Sequence, residues 1–364
     1  MNTKIINTSL VVPGMKVAQD VHSFSDQLII PKGTVLTDRI ITRLKFYMVP
    51  EIRIEEPDVA KETTEPVYMI HPEDYHITKV RESEDFKAFS KTFMSSLVNT
   101  RIKINSFIQK KAELDRTELL SDVYNVLGQC KNSLNIMDML HCMREFDDTT
   151  FIHGINVALI ATTLGMWLKY PQSMLDDLML AGLLHDIGKL TIPAEILNKP
   201  GKLTEMERTT LRTHAMNGYE LLKDLPLNPH IKYAVMMHHE RCDGSGYPLG
   251  LKRGQIDAFA NIIAIADVYD AMTSSRVYRG AICPFEVIRH FESEGLSRFD
   301  THFVMTFLEG IVLVYLNNTV RLTDGRIGEI VMVNRTALSR PVVRVGNEFI
   351  DLSQETHLDI EALV

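Results

Sequence analysis

Seven side chains of metal-ligand type follow one another between positions 153 and 267: His153, His185, Asp186, His214, His238, His239 and Asp267. Two pairs are adjacent, His185-Asp186 and His238-His239. Imidazoles and carboxylates in this mixture suit divalent transition metals. Seven are too many for one four-coordinate ion, but they fit two ions that share a bridging carboxylate. A chain built this way has to return several separate segments to one point. A paired-metal site with a bridging water is a general device for hydrolysing phosphate esters.

The first pair lies in His185-Asp186-Ile187-Gly188-Lys189, and the second opens the run HHERCDGSGYP, from His238 to Pro248. His214 begins HAMNGYELL, and residues 262–279 read IIAIADVYDAMTSSRVYR. A His-Asp dipeptide alone arises by chance in many proteins, whereas the joint pattern is specific. It resembles the HD-GYP family, the cyclic di-GMP phosphodiesterase branch of the HD metal-dependent phosphohydrolases, over roughly residues 147–310. The resemblance implies a mainly α protein: an HD-type helical catalytic domain with small β-rich modules at the N- and C-termini.

The same resemblance distributes roles. Asp186 bridges two ions and takes part in catalysis, and His153, His185, His214, His238, His239 and Asp267 complete the ligand set. Lys189 contacts the scissile phosphate. A lysine beside two cations would be repelled unless an anion lies between them, and a phosphate supplies one. Tyr247 of the GYP segment offers a flat face to a guanine base, unless it packs to fix its own loop. Arg276 and Arg279 match the family's substrate cations, and Asp270 lies near the substrate or behind the ligands. Some relatives hold a third metal with a Glu four residues before the first His. Here Thr149 stands there, which favours two ions. His238 and His239 point about 100° apart on a helix, so they share a site only near a helix end or by serving different ions. Arg241 is left open between an ion-pair role and a substrate-facing one.

Length and composition set outer bounds. A chain of 364 residues holds two or three compact units. No run of 18 apolar residues stands out, so no membrane span is expected. The four cysteines (Cys130, Cys142, Cys242, Cys283) have no CxxC spacing and read as free thiols of a reducing compartment, the cytoplasm. A formal net charge of -8 argues against DNA or RNA polymers as partners but leaves room for a small anionic substrate.

Along the chain, residues 1–55 read as a small β-rich N-terminal module. Its β-like segments are Leu10–Val12, Gln27–Ile30 and Glu51–Ile54, with one short helix over Thr37–Tyr47. The module is a partner-binding or sensory unit, or a structural cap or dimer surface. Residues 56–66 are a polar, proline-bracketed linker. Residues 67–146 are a helical connecting region, whose stripe Phe86, Phe89, Phe93, Leu97, Ile104 and Ile108 should pack on the catalytic bundle or on a dimer mate. The catalytic domain covers 147–317, and residues 318–364 form a β-rich C-terminal module with a turn at Asp324-Gly325.

The expected reaction is hydrolysis of the phosphodiester bonds of cyclic di-GMP to pGpG as first product, with pGpG or GMP left open as the end product, using iron or manganese. Two alternatives stand: a catalytically silent cyclic-dinucleotide receptor, and a phosphodiesterase for another cyclic dinucleotide such as cyclic GMP-AMP.

Overall fold

A computed structural model describes residues 3–7, 11–12, 14–22, 28–37, 40–41, 44, 51–55, 80–143, 150–199, 201–274 and 282–364. Two compact units result, Met1–Met69 and Ile70–Val364. The first is built on short antiparallel pairs. β1 (Thr3–Asn7) runs against β4 (Glu51–Glu55), and β2 (Val21–His22) against β3 (Leu28–Ile30). Alternation explains β4: Ile52 and Ile54 face a small core with Val17, Val21, Ile30, Leu36, Ile41 and Leu44. Of the expected strands, Leu28–Ile30 and Glu51–Glu55 are present, whereas Val11 and Val12 lie in irregular backbone. Within the expected 37–47 helix, the helical residues described are Ile40, Ile41 and Leu44. The proposed linker at 56–66 lies outside the described residues.

The second unit is mainly helical. Helix α1 (Glu84–Ile108) starts at Ser83, whose side chain accepts from the Phe86 amide. Its stripe Phe86, Phe89, Phe93, Leu97 and Ile104 is buried in the common core, and Ile108 packs partly against it. Helices α2 (Arg116–Leu127) and α3 (Ser133–Cys142) follow. Helix α4 (Thr150–Trp167) is apolar nearly all round and is buried from His153 to Gly165. Among the described residues it is the helix long and apolar enough to cross a membrane, but 78% of that stretch is buried inside the protein, as in a central core helix. Thr162 and Thr163 donate their hydroxyls to carbonyls one turn back, which removes the cost of burying them.

Four further helices carry the ligand-type residues alongside α4. They are α5 (Gln172–Leu184), α7 (His214–Leu222), α8 (Pro229–Met237) and α9 (Ala258–Thr273), with α6 (Glu205–Arg212) leading directly into α7. Helix α4 packs on α5 and α9, and α8 packs on α5, α7 and α9. Beyond them lie α10 (Pro284–His290) and α11 (Thr301–Val314).

A five-stranded antiparallel sheet ends the chain: β5 (Thr319–Leu322), β6 (Ile327–Met332), β7 (Val342–Val345), β8 (Glu348–Asp351) and β9 (Ile360–Leu363). Their order across the sheet is β8-β7-β6-β5-β9. The strands expected around 320–322, 327–333 and 341–345 are present; β8 and β9 go beyond that expectation. The sheet shares one core with the helices through Val320, Leu322, Ile330 and Val343. Arg289 of α10 also makes a two-pronged ion pair with Asp359, at 2.6 and 3.1 Å. All four cysteines are free thiols, as expected.

Candidate metal centre

Apart from Asp267, which lies inside α9, the ligand-type side chains sit where helices begin, end or tighten into a 3-10 turn. His185 and Asp186 come immediately after α5, where the backbone tightens into a 3-10 turn at Ile187–Thr191. That change lets two neighbours aim at one place, which a continuous α-helix would prevent. Gly188 is required here for contact. A Cβ on it would lie 1.9 Å from the His214 carbonyl oxygen and 2.6 Å from the Gly218 amide. Helix α7 therefore rests on the HDIGK turn and brings His214, its first residue, beside Asp186. His238 and His239 follow the last turn of α8, so the helix-end arrangement is the one adopted, with ring centroids 4.1 Å apart. His153 comes from the first turn of α4, and Asp267 and Asp270 from one face of α9.

The two oxygens of Asp186 face different partners. Oδ1 is 3.3 Å from His214 Nε2 and 3.7 Å from His238 Nε2. Oδ2 is 3.3 Å from His185 Nε2 and 3.8 Å from His153 Nε2. Asp186, His214, His238 and His239 form one group of donors within reach of a single ion, and His153, His185 and Asp186 form a second. Asp267 closes the second side, with Oδ1 3.0 Å from His153 Nε2. Lys189 Nζ lies 2.5 Å from Asp186 Oδ2 in this arrangement.

The tautomers follow from the hydrogen bonds. His185 Nδ1 is 2.7 Å from the Gly182 carbonyl, His214 Nδ1 is 2.7 Å from that of Leu211, and His238 Nδ1 is 2.8 Å from that of Val235. A carbonyl only accepts, so each Nδ1 carries the proton and each neutral ring presents a lone pair at Nε2. Yet His214 Nε2 and His238 Nε2 are 3.3 Å apart, and His239 Nε2 is 3.1 Å from His214 Nε2. Buried His185 Nε2 and Asp186 Oδ1 have no hydrogen-bond partner among the described residues. The facing lone pairs of His214 and His238, in a buried site, call for a cation. The spacing is that between neighbouring donors around an ion at bond lengths of roughly 2.1 Å. The donor set fits a divalent metal.

Burial pushes His214 down to about 4, with His238 and Lys189 acting in the same direction. Burial also depresses His238 and His239. His153 goes the other way. Burial disfavours its charge, but the carboxylates of Asp267 and Asp270 outweigh that and raise it to about 10. Its Nδ1 is 2.7 Å from Asp270 Oδ2. Asp270 is 2% exposed and also accepts from Asn156 Nδ2 at 3.1 Å. It therefore stands behind His153, in the position of a carboxylate that orients a ligating imidazole.

The GYP segment is fastened to the end of α8 by a residue the sequence reading did not single out. Glu240, 2% exposed, accepts from the amides of Leu249 at 2.6 Å and Leu251 at 2.9 Å. Gly246 has no room for a side chain, since a Cβ would lie 2.4 Å from both Glu240 Cα and the Arg241 amide. Tyr247 consequently stacks on His239, with centroids 4.6 Å apart and planes 25° apart. Its ring also carries the Arg212 guanidinium, at 5.1 Å. Arg241 donates to the carbonyls of His238 and Glu240 and lies over the Phe299 ring, which makes it a helix-end cap. Arg276, Arg279 and Thr149 lie outside the described residues.

A family model described as HD domain matches residues 118–303. The chain is 37% identical over 204 residues to the cyclic di-GMP phosphodiesterase PA4108 of Pseudomonas aeruginosa, covering 56% of this chain and 49% of that one. It is 42% identical over 145 residues to 3′3′-cGAMP-specific phosphodiesterase 1 of Vibrio cholerae, covering 40% of this chain and 34% of the relative. The chain thus spans half or less of the length of these two curated relatives. The solved structure of Bd1817, an HDG"Y"P protein from Bdellovibrio bacteriovorus, superposes with a TM-score of 0.53 at 15% identity, over 84% of this chain and 98% of that one, a likeness of fold. With the HD motif placed at the junction of α5 and the GYP segment clamped beneath α8, this chain belongs to the HD-domain family, on the HD-GYP side that its sequence resembles.

Proposed function

We propose that this chain hydrolyses a phosphodiester bond of a cyclic dinucleotide, with cyclic di-GMP as substrate and pGpG as first product. The observation that carries the reading is the division of the Asp186 oxygens between two sets of imidazole lone pairs. That division suits two ions, and five imidazoles with two carboxylates suit iron or manganese. When bound, such a pair supplies the Lewis acidity and activated water that in-line hydrolysis of a phosphate diester requires. His185, His214 and His238 hold their ligating tautomer through backbone carbonyls. Asp270 orients His153, and Asp267 completes that side. Lys189, with its side chain 25% exposed at the rim, turns from Asp186 to the scissile phosphate once the carboxylate's charge is matched elsewhere. Tyr247 fixes the position of His239 and of its own loop, and Arg276 and Arg279 serve as substrate cations. The free thiols accord with a cytoplasmic setting.

The similarity to a 3′3′-cGAMP-specific enzyme supports a second substrate, cyclic GMP-AMP. A direct test incubates the full chain, loaded with Fe(II) or Mn(II), with each cyclic dinucleotide and separates the products by chromatography. Linear pGpG from cyclic di-GMP is expected. Failure to open any cyclic dinucleotide, with two ions bound, would overturn the reading.

A further inference from the structure

Arg212 ends α6, two residues before the ligand-type His214. Its side chain is exposed, and its guanidinium lies over the Tyr247 ring, which itself stacks on His239. Among the described residues, no carboxylate or carbonyl takes its N–H donors. Arginines elsewhere in this unit are spent differently: Arg289 and Arg340 on Asp359, Arg344 on Glu329, Arg241 on the carbonyls of His238 and Glu240. A guanidinium lying over an aromatic ring is held near it by the ring's negative face while its N–H donors remain available. Those donors match two phosphate oxygens at once.

A cyclic dinucleotide carries two phosphates. The Asp186 centre and Lys189 account for the one that is cut; apart from the substrate cations Arg276 and Arg279, which lie outside the described residues, Arg212 is the cation placed on the GYP segment close to the same mouth. We infer that Arg212, oriented by Tyr247, binds the phosphate that is not being cleaved and so selects dinucleotides over simple diesters. The inference rests on the cyclic-dinucleotide reading. It also gives Tyr247 a task different from offering a bare face to a guanine, because the ring is already engaged by His239 and Arg212.

The test measures kcat and KM of the full, metal-loaded chain and its Arg212→Ala and Arg212→Lys variants. Two substrates are used: cyclic di-GMP, and bis(p-nitrophenyl) phosphate, which has a single phosphate. Metal content is measured alongside. For Arg212→Ala, KM for cyclic di-GMP should rise about tenfold or more, a loss at least several times that on the simple diester. Arg212→Lys should recover part of it, and added salt should narrow the gap between parent and variant. An unchanged KM for cyclic di-GMP overturns the inference. So does an equal loss on both substrates with falling metal content, since that would mark Arg212 as a support for Tyr247 and His239. A parent chain that turns over only the simple diester removes the cyclic-dinucleotide reading, and this inference with it. That outcome is read from the parent alone.

Discussion

The two sides of Asp186 are built by different means. On the Oδ1 side, His214 and His238 are held by carbonyls three residues back in their own chain. On the Oδ2 side, His185 is held in the same way by the Gly182 carbonyl, but His153 is held by Asp270, a carboxylate 117 residues away on another helix. A carbonyl from the same helical turn is present whenever the helix forms, so it cannot be removed by changing a side chain. A carboxylate delivered by tertiary packing can be. It also adds charge, and with Asp267 it raises His153 to about 10 while burial lowers His214 to about 4. His214, His238 and His185 are therefore fixed by local backbone, and the Oδ2 side is adjustable only at His153, through the carboxylate behind it.

The largest effect is expected where the two sides meet. Asp186→Ala removes the carboxylate common to both groups of ligand-type side chains. Two cations without a shared anion repel each other. Hydrolysis of cyclic di-GMP should fall by about three orders of magnitude or more, and bound metal should drop on both sides together. A variant that keeps two ions and normal turnover would show that the sides are independent and that the comparison is misplaced.

Much of this centre was legible in the chain itself. Adjacency marked His185-Asp186 and His238-His239, and an acid in an apolar stretch marked Asp267, because a buried carboxylate needs a partner. What could not be read was which side chains would meet across helices. The Asp270–His153 contact depends on how α9 packs on α4. The Glu240 clamp on Leu249 and Leu251 depends on the course of a loop whose glycines leave many paths open. The terminal sheet shows the same limit. β5, β6 and β7 are apolar enough to announce themselves. β8 and β9 are four-residue strands carrying acidic residues, and β9 joins β5 across the sheet from a distant part of the sequence.

Asp270→Asn attacks the adjustable side alone. The change keeps volume and one acceptor but loses the charge that makes His153 a strong ligand. Metal affinity on that side should weaken by about tenfold, with the His214–His238 side unmoved. Calorimetric titration of metal-free protein should then show one of two binding phases shifted. If both weaken alike, the sides share their support and the division by Asp186 oxygen is wrong.

Asn156 lies one step further out, and its effect should be the smallest. Its Nδ2 donates to Asp270 Oδ1 at 3.1 Å, while its own Oδ1 is buried with no partner among the described residues. Asn156→Ala removes a hydrogen bond to a charged group, which contributes on the order of 1 kcal/mol. It also removes an unsatisfied buried acceptor, which is a gain of comparable size. These two terms act on different observables. The lost donor frees Asp270 to shift, so metal affinity on the His153 side should fall about fivefold, the equivalent of ~1 kcal/mol. The lost acceptor offsets the lost bond in the fold, so Tm of the metal-free chain should barely move. Metal titration and thermal melting on one sample separate the two. A marked fall in Tm with metal affinity unchanged would make Asn156 a support for α4 and end the relay from Asn156 through Asp270 to His153.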